Sequence, residues 1–268
     1  MDFGDIGTRG LLLLGCGKMG SAMLAGWLKG GLSAEAVHVR DPKPSDWVQG
    51  LGLHLNEALP EAPAVALIAV KPQMMGAALP DVAALGGGKT LVLSIAAGTP
   101  IAAFEAAFGP GTPVIRAMPN TPAAIGRGIT AIIGNAAATE AHLAMAEALL
   151  SAIGQVVRLE EEAQIDAVTA LSGSGPAYVF HLIECMAAAG EELGLTPDLA
   201  LQLAKATVGG AGALAEAAEE DPAQLRVNVT SPNGTTQAAL EVLMPELPGL
   251  MSRAMAAAKT RSEELSRG

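Results

Sequence analysis

Residues 11–22 read Leu11-Leu12-Leu13-Leu14-Gly15-Cys16-Gly17-Lys18-Met19-Gly20-Ser21-Ala22. An uninterrupted apolar run of this kind reads as a parallel strand buried on both faces. It enters a Gly-x-Gly-x-x-Gly turn that opens a helix-period segment. Gly15 permits the tight turn, Gly17 lets a pyrophosphate approach the backbone, and Gly20 lets helix and strand pack closely. The unpaired N–H groups and dipole at the helix start then favour an anion. Strand, turn and helix in this order point to dinucleotide binding. A glycine-rich βα turn that only packs is the alternative.

At 268 residues the chain is expected to form one or two domains. Half of the residues are hydrophobic but only 3% are aromatic, so the core must be aliphatic. Alanine-rich helices pack closely and suit a large helix–helix interface. The formal net charge of −11 argues against nucleic-acid binding through a basic surface. It leaves open an anionic substrate, which responds to local charge. The two cysteines, Cys16 and Cys185, do not make a disulfide framework, and a reducing, cytoplasmic location fits them best. No uncharged apolar stretch reaches the roughly 18 residues of a membrane helix. Residues 1–9 lack the shape of a signal peptide. No membrane association is expected.

Up to about residue 160, short apolar runs alternate with helix-period segments. Strands are expected at 10–14, 36–40, 64–69, 90–95, 113–117, 128–133 and 155–158, and helices at 18–29, 45–51, 74–84, 100–108 and 140–151. That alternation implies a parallel-dominated sheet covered on both faces, with right-handed connections. Beyond it the strand signal stops. Helices are expected at 161–171, 175–193, 197–218, 231–243 and 245–266, with Pro176, Pro197, Pro232 and Pro245 near helix starts and Gly194 as a C-cap. The expected fold is an α/β Rossmann domain over 1–160 followed by an all-helical domain over 161–268. The nearly uncharged stretch 170–179, followed by a further apolar face, suggests burial against a second chain; a deep monomer core is the alternative.

The second strand ends at Val39-Arg40-Asp41. Asp41 lies about twenty residues beyond Gly20, where an acidic side chain binds the adenosine ribose hydroxyls of NAD. Arg40 and Lys43 are placed to pair instead with the 2′-phosphate of NADP, and a solvated turn is the third possibility. Strands three and four end at Ala69-Val70-Lys71-Pro72 and Ser94-Ile95-Ala96-Ala97-Gly98. Carboxyl ends of strands in an open sheet are where ligands bind, and small residues there let a nicotinamide or its ribose lie against the backbone. The rigid loop Arg116-Ala117-Met118-Pro119-Asn120-Thr121-Pro122 is either an active-site wall or a stiff connection.

Two Ser/Thr/Gly segments stand out in the helical half: Leu171-Ser172-Gly173-Ser174-Gly175-Pro176-Ala177-Tyr178 and Val229-Thr230-Ser231-Pro232-Asn233-Gly234-Thr235-Thr236. The second opens a helix whose first amides lack intrahelical partners, which makes a site for a small carboxylate or an ordinary N-cap. His38, His54, His142 and His181 are scattered without ligand spacing, so no metal site is expected.

Together these segments, with Asp166-Ala167-Val168-Thr169-Ala170 before the first of the two, resemble pyrroline-5-carboxylate reductase and occur in that family's order over nearly the whole chain. The resemblance implies a Rossmann domain, a helical dimerisation domain, homodimers that often assemble into larger rings, and hydride transfer from NADPH or NADH to the cyclic imine 1-pyrroline-5-carboxylate, giving L-proline. It implies that Gly15, Cys16, Gly17, Lys18, Met19 and Gly20 hold the pyrophosphate. Asn56, Ala69, Val70, Lys71 and Pro72 would line the cofactor site, joined by Arg40, Ala96, Ala97 and Gly98 from the strand ends. Val229, Ser231, Gly234, Thr235 and Thr236 would hold the substrate, with Thr236 bonding the ring nitrogen and Glu162 and Glu219 as nearby acidic groups. The mixed signs of Arg40-Asp41-Pro42-Lys43 depart from the hydroxyl-rich turn of many members, so the choice between NADPH and NADH stays open. The alternative activity is that of a β-hydroxyacid or ketoacid dehydrogenase of the same plan, with Lys205 as proton donor.

Overall fold

The structure is a computed structural model that describes residues 3–267. Its strands are β1 Leu11–Leu14, β2 Val37–Arg40, β3 His54–Leu55, β4 Val65–Ile68, β5 Leu91–Ser94, β6 Val114–Met118, β7 Gly128–Gly134 and β8 Gly154–Arg158. They form one sheet in the order β3-β2-β1-β4-β5-β6-β7-β8. Neighbouring strands run parallel except β6 and β7. The exception follows from the connection. Residues 119–127 hold only a 3-10 turn, Thr121–Ile125, which is too short for the crossover helix that a parallel return needs.

The burial of β1 explains its unbroken leucines. Leu11 and Leu13 face Met23, Leu24 and Trp27 of α2 (Lys18–Lys29) and Leu149 of α6 (Glu140–Leu150). Leu12 and Leu14 face the opposite layer, with Met75 and Leu79 of α4 (Met75–Val82) and Phe104 of α5 (Ile101–Phe108). A strand with a helix layer on each side has no solvent face, so period-2 alternation disappears.

Contacts divide the chain into two units. One is residues up to Gly173 together with those from Lys259 onward, and the other is Ser174–Ala258. The first unit therefore takes in α7 (Gln164–Val168) and the π-turn Thr169–Gly173 that follows it. The sequence pattern suggests one helix over 161–171. Instead, Thr169 and Ser172 donate their hydroxyls to the carbonyls of Ile165 and Val168, and the backbone widens there.

The second unit contains α8 (Gly175–Glu192), α9 (Pro197–Ala217), α10 (Pro222–Asn228) and most of α11 (Thr235–Arg267). Gly194 (φ +98°) follows α8 and donates its N–H to Glu191, as its expected capping role requires. The expected break at Pro245 does not occur. Pro245 and Pro248 both lie inside α11. Each removes one i→i−4 donor, but residues 241–250 are exposed throughout, so water can serve the freed carbonyls. Pro232 lies ahead of that helix, not in its first turn. Three short elements escape the sequence pattern: α1 (Gly4–Arg9), β3 and α10. The remaining short helix, α3, spans Asp46–Gln49.

Within the helical unit the small core of Ala187, Ala200 and Ala204 joins α8 to α9. Large apolar side chains point outward, among them Phe180 (58% exposed), Leu203 (48%), Leu214 (57%) and Val242 (62%). None of the helices is long and apolar enough to cross a membrane among the described residues.

Trp27 is fully buried, and its indole N–H donates to the Leu149 carbonyl at 2.8 Å. Trp27→Phe is expected to lower stability by about 2 kcal/mol, from the lost donor and the space left behind. Urea unfolding should show a lower midpoint at unchanged slope; an unchanged midpoint would remove Trp27 from the packing scheme.

Candidate active site

At the carboxyl edge of the sheet the glycine loop closes onto the neighbouring strands. Gly15 adopts φ +89°, and its N–H donates to the Arg40 carbonyl at 2.8 Å. A Cβ on Gly15 would lie 3.0 Å from both the Ala69 carbonyl oxygen and a Val70 methyl. A Cβ on Gly20 would lie 2.6 Å from the Gly15 carbonyl oxygen, so α2 approaches the turn as only glycine allows. Gly17 is different, because a Cβ there would meet nothing. The start of α2 is therefore open to solvent at this position. Gly17 caps α2 with no side-chain hydrogen bond, and no acidic residue occupies the first turn. Lys18 is exposed and Met19 half-buried beside it. This cradle suits a pyrophosphate.

Cys16 is buried in the loop. Burial pushes its thiol up, Ser21 pulls it down by a hydrogen bond, and the Asp41 carboxylate adds a smaller push upward. A thiol held protonated is a poor nucleophile.

The turn after β2 is held by an exchange of hydrogen bonds. Asn56, in the left-handed region at φ +54°, accepts the Asp41 N–H at 3.0 Å and donates to the Asp41 carbonyl at 2.9 Å. The Asp41 carboxylate accepts the Cys16 N–H at 2.7 Å on one oxygen and the Lys43 N–H at 2.7 Å on the other. A cleft of about 350 Å³ opens here, lined by Leu14, Arg40, Asp41, Asn56, Val70 and Asp81, among others. Asp81, on α4, escapes the sequence analysis because nothing in a helix-period pattern aims one residue toward a strand end. Lys71 and Pro72, exposed, begin the turn into α4.

Next along the edge, Ala96 is buried and Ala97 exposed, while Gly98 (φ +72°) lies against Leu265 near the end of α11. Glu162 reaches this region from beyond β8. Its Oε1 accepts from the buried Arg116 at 2.7 Å and from the Ile101 N–H at the start of α5 at 2.9 Å. Asn120 ties the loop after β6 to the π-turn through the Ser172 carbonyl.

In the helical unit, Ser231-Pro232-Asn233-Gly234 forms a turn with Asn233 at φ +58° and the Gly234 N–H on the Ser231 carbonyl. The first i→i−4 bond of α11 runs from Ala238 to Gly234, so the amides of residues 235–237 precede the helical ladder. The hydroxyls of Ser231, Thr235 and Thr236 make no hydrogen bond among the described residues, whereas Thr230 donates to the Arg226 carbonyl. A Cβ on Gly234 would meet the Ser231 hydroxyl at 2.4 Å and the Ser231 carbonyl oxygen at 3.1 Å, so a side chain there would displace that hydroxyl. Val229 is exposed at the end of α10, and Glu219 is exposed in the bend between α9 and α10. The sheet unit thus gathers the expected cofactor residues along one edge. The turn at 231–236 brings together Ser231, Gly234, Thr235 and Thr236, with Glu219 on a separate bend.

Residues 11–98 match the family profile described as NADP oxidoreductase, coenzyme F420-dependent, and residues 162–265 match that described as pyrroline-5-carboxylate reductase dimerisation. The pyrroline-5-carboxylate reductase of Pseudomonas aeruginosa is 40% identical over 266 residues, covering 97% of each chain. That of Synechocystis is 44% identical over 215 residues, 79% of each chain. The solved structure of a pyrroline-5-carboxylate reductase from Coxiella burnetii has a TM-score of 0.91 at 33% identity, covering 97% of this chain and 99% of that one. Plasmodium falciparum pyrroline carboxylate reductase with NADP bound gives 0.83 at 26% identity, covering 96% and 98%.

Gly20→Ala is expected to push α2 away from the turn and weaken dinucleotide binding by about 10- to 100-fold, the equivalent of 1–3 kcal/mol of overpacking. Calorimetric titration with the coenzyme would measure it; unchanged affinity would show that the loop does not hold the pyrophosphate.

Proposed function

This chain belongs to the pyrroline-5-carboxylate reductase family, and we propose on that premise that it reduces 1-pyrroline-5-carboxylate to L-proline with NADPH or NADH, the last step of proline biosynthesis. The observation that carries the proposal is the pairing, on one chain, of an open glycine cradle with a helix start whose amides and hydroxyls lack partners. One suits a pyrophosphate and the other a small carboxylate. The bound coenzyme supplies the hydride.

The chain's own residues bind and orient. Gly15–Gly20 hold the pyrophosphate, with Arg40, Asn56 and residues 69–72 along the nucleoside side and residues 96–98 on the nicotinamide side. Ser231, Gly234 and Thr235 hold the substrate carboxylate through neutral donors, with Val229 beside them. Thr236 bonds the ring nitrogen. A protonated imine is already electrophilic, so little acid catalysis is asked of the protein. Glu162, anchored to Arg116 and to the start of α5, orders the wall after β5. Glu219 stays a substrate-side carboxylate. Residues 1–160 serve as the dinucleotide domain and 161–268 as the substrate and dimerisation domain.

Outward-facing Phe180, Leu203 and Leu214 are covered by a second copy, in a homodimer that assembles further into a ring, in the cytoplasm. The ketoacid dehydrogenase alternative asks for a buried or cleft-facing proton donor, and Lys205 is exposed on α9.

Absorbance at 340 nm should fall when the protein, a reduced nicotinamide coenzyme and the cyclic imine are combined, with about one coenzyme consumed per proline formed. Absence of proline would overturn the proposal. Thr236→Ala is expected to lower kcat by about 10-fold while leaving coenzyme affinity unchanged, the loss of one hydrogen bond in the transition state. Thr236→Ser should restore most of it; wild-type turnover in the alanine variant would remove Thr236 from the site.

A further inference from the structure

The cleft beyond the glycine loop carries an electrostatic preference between the two reduced coenzymes, and the argument rests on reading this edge as the dinucleotide site. Asp41 follows β2 directly and its carboxylate is immobilised, one oxygen on the Cys16 N–H and the other on the Lys43 N–H, each at 2.7 Å. Its backbone is held by both ends of the Asn56 amide. Turning it away from an incoming anion would break both of these hydrogen bonds. Each oxygen keeps a second lone pair, which can accept from a ribose diol but offers nothing to a phosphate.

The remaining charges point the same way. Among the described residues, Asp41 and Asp81 line the cleft against one cation, Arg40, and Arg40 already donates to the Glu57 carbonyl at 3.2 Å. The Lys43 and Lys71 side chains are exposed and do not line the cleft. A 2′-phosphate, carrying close to two negative charges, would sit beside a fixed carboxylate with one partly committed guanidinium to offset it. We propose that this site selects NADH over NADPH, and that Asp41 is the specificity-determining residue.

The test compares fragments and whole coenzymes. Calorimetry with 5′-AMP and adenosine 2′,5′-bisphosphate, which differ only in the 2′-phosphate, reads the preference without turnover. The wild-type protein is expected to bind 5′-AMP more tightly, and to show kcat/KM at least about 10-fold higher with NADH than with NADPH. Asp41→Ser should shift both ratios toward the 2′-phosphorylated ligand by about 10-fold or more. Asp41→Asn keeps the shape and removes the charge, and should move them in the same direction if the serine variant fails to fold. Tighter wild-type binding of the bisphosphate, or ratios unmoved in a folded Asp41 variant, would overturn the inference. Tighter 5′-AMP binding without reduction of the cyclic imine would support it while overturning the reductase reading.

Discussion

The approach of α2 to the end of β1 is the constraint from which the sheet unit is built. With 2.6 Å between a would-be Cβ on Gly20 and the Gly15 carbonyl, helix and turn touch backbone to backbone. The same turn is pressed on its other side against Ala69 and Val70. A loop pinned from two directions presents its open glycine, Gly17, at a defined place. It also brings the Cys16 amide within reach of Asp41, so the chemistry of the β2 end is fastened to the same turn. Packing here fixes the direction of the backbone amides at the start of α2, the groups that favour an anion at a helix N-terminus.

The helical unit follows a different physical logic. Its own core consists of alanines, which let α8 and α9 lie close but bury little area each. Larger apolar residues are turned outward, and burying a single leucine or phenylalanine contributes roughly 1.5–3 kcal/mol. A unit built this way buries little of its large apolar surface within itself. That agrees with the match of residues 162–265 to a dimerisation profile.

Much of this was legible in the residues themselves. Leu11–Leu14 announce a two-sided strand, and the glycine spacing announces the turn, because both signals are local and dictated by sterics. Gly194 was legible as a cap for the same reason. What escaped was short or tertiary. β3 contributes only His54 and Leu55 to the sheet and is held by pairing with β2. The continuity of α11 through Pro245 and Pro248 depends on solvent exposure of the freed carbonyls, which no local pattern encodes. The π-turn depends on Thr169 and Ser172 bonding backward instead of ending the helix. The pairing of Glu162 with Arg116 crosses from beyond β8 to β6, a distance along the chain at which charge pairing leaves no periodicity to read. The opposite commitments of Asp41 and Arg40 were invisible for a similar reason: residue types name the groups, and only geometry says which are already engaged.

The last turns of α11 belong to the sheet unit, where Ser262 donates to Asp166 at 2.6 Å and Leu265 rests on Gly98. Ribosomal synthesis therefore delivers the sheet unit in two instalments, with the whole helical unit translated in between. The nascent sheet must wait, incompletely clad at the turn after β5, until its closing segment emerges. Cutting the gene after β8 would leave the sheet unit without its closing segment, and a circular permutant that begins at Lys259 and joins the α11 end to the segment ahead of α1 would bring both instalments together.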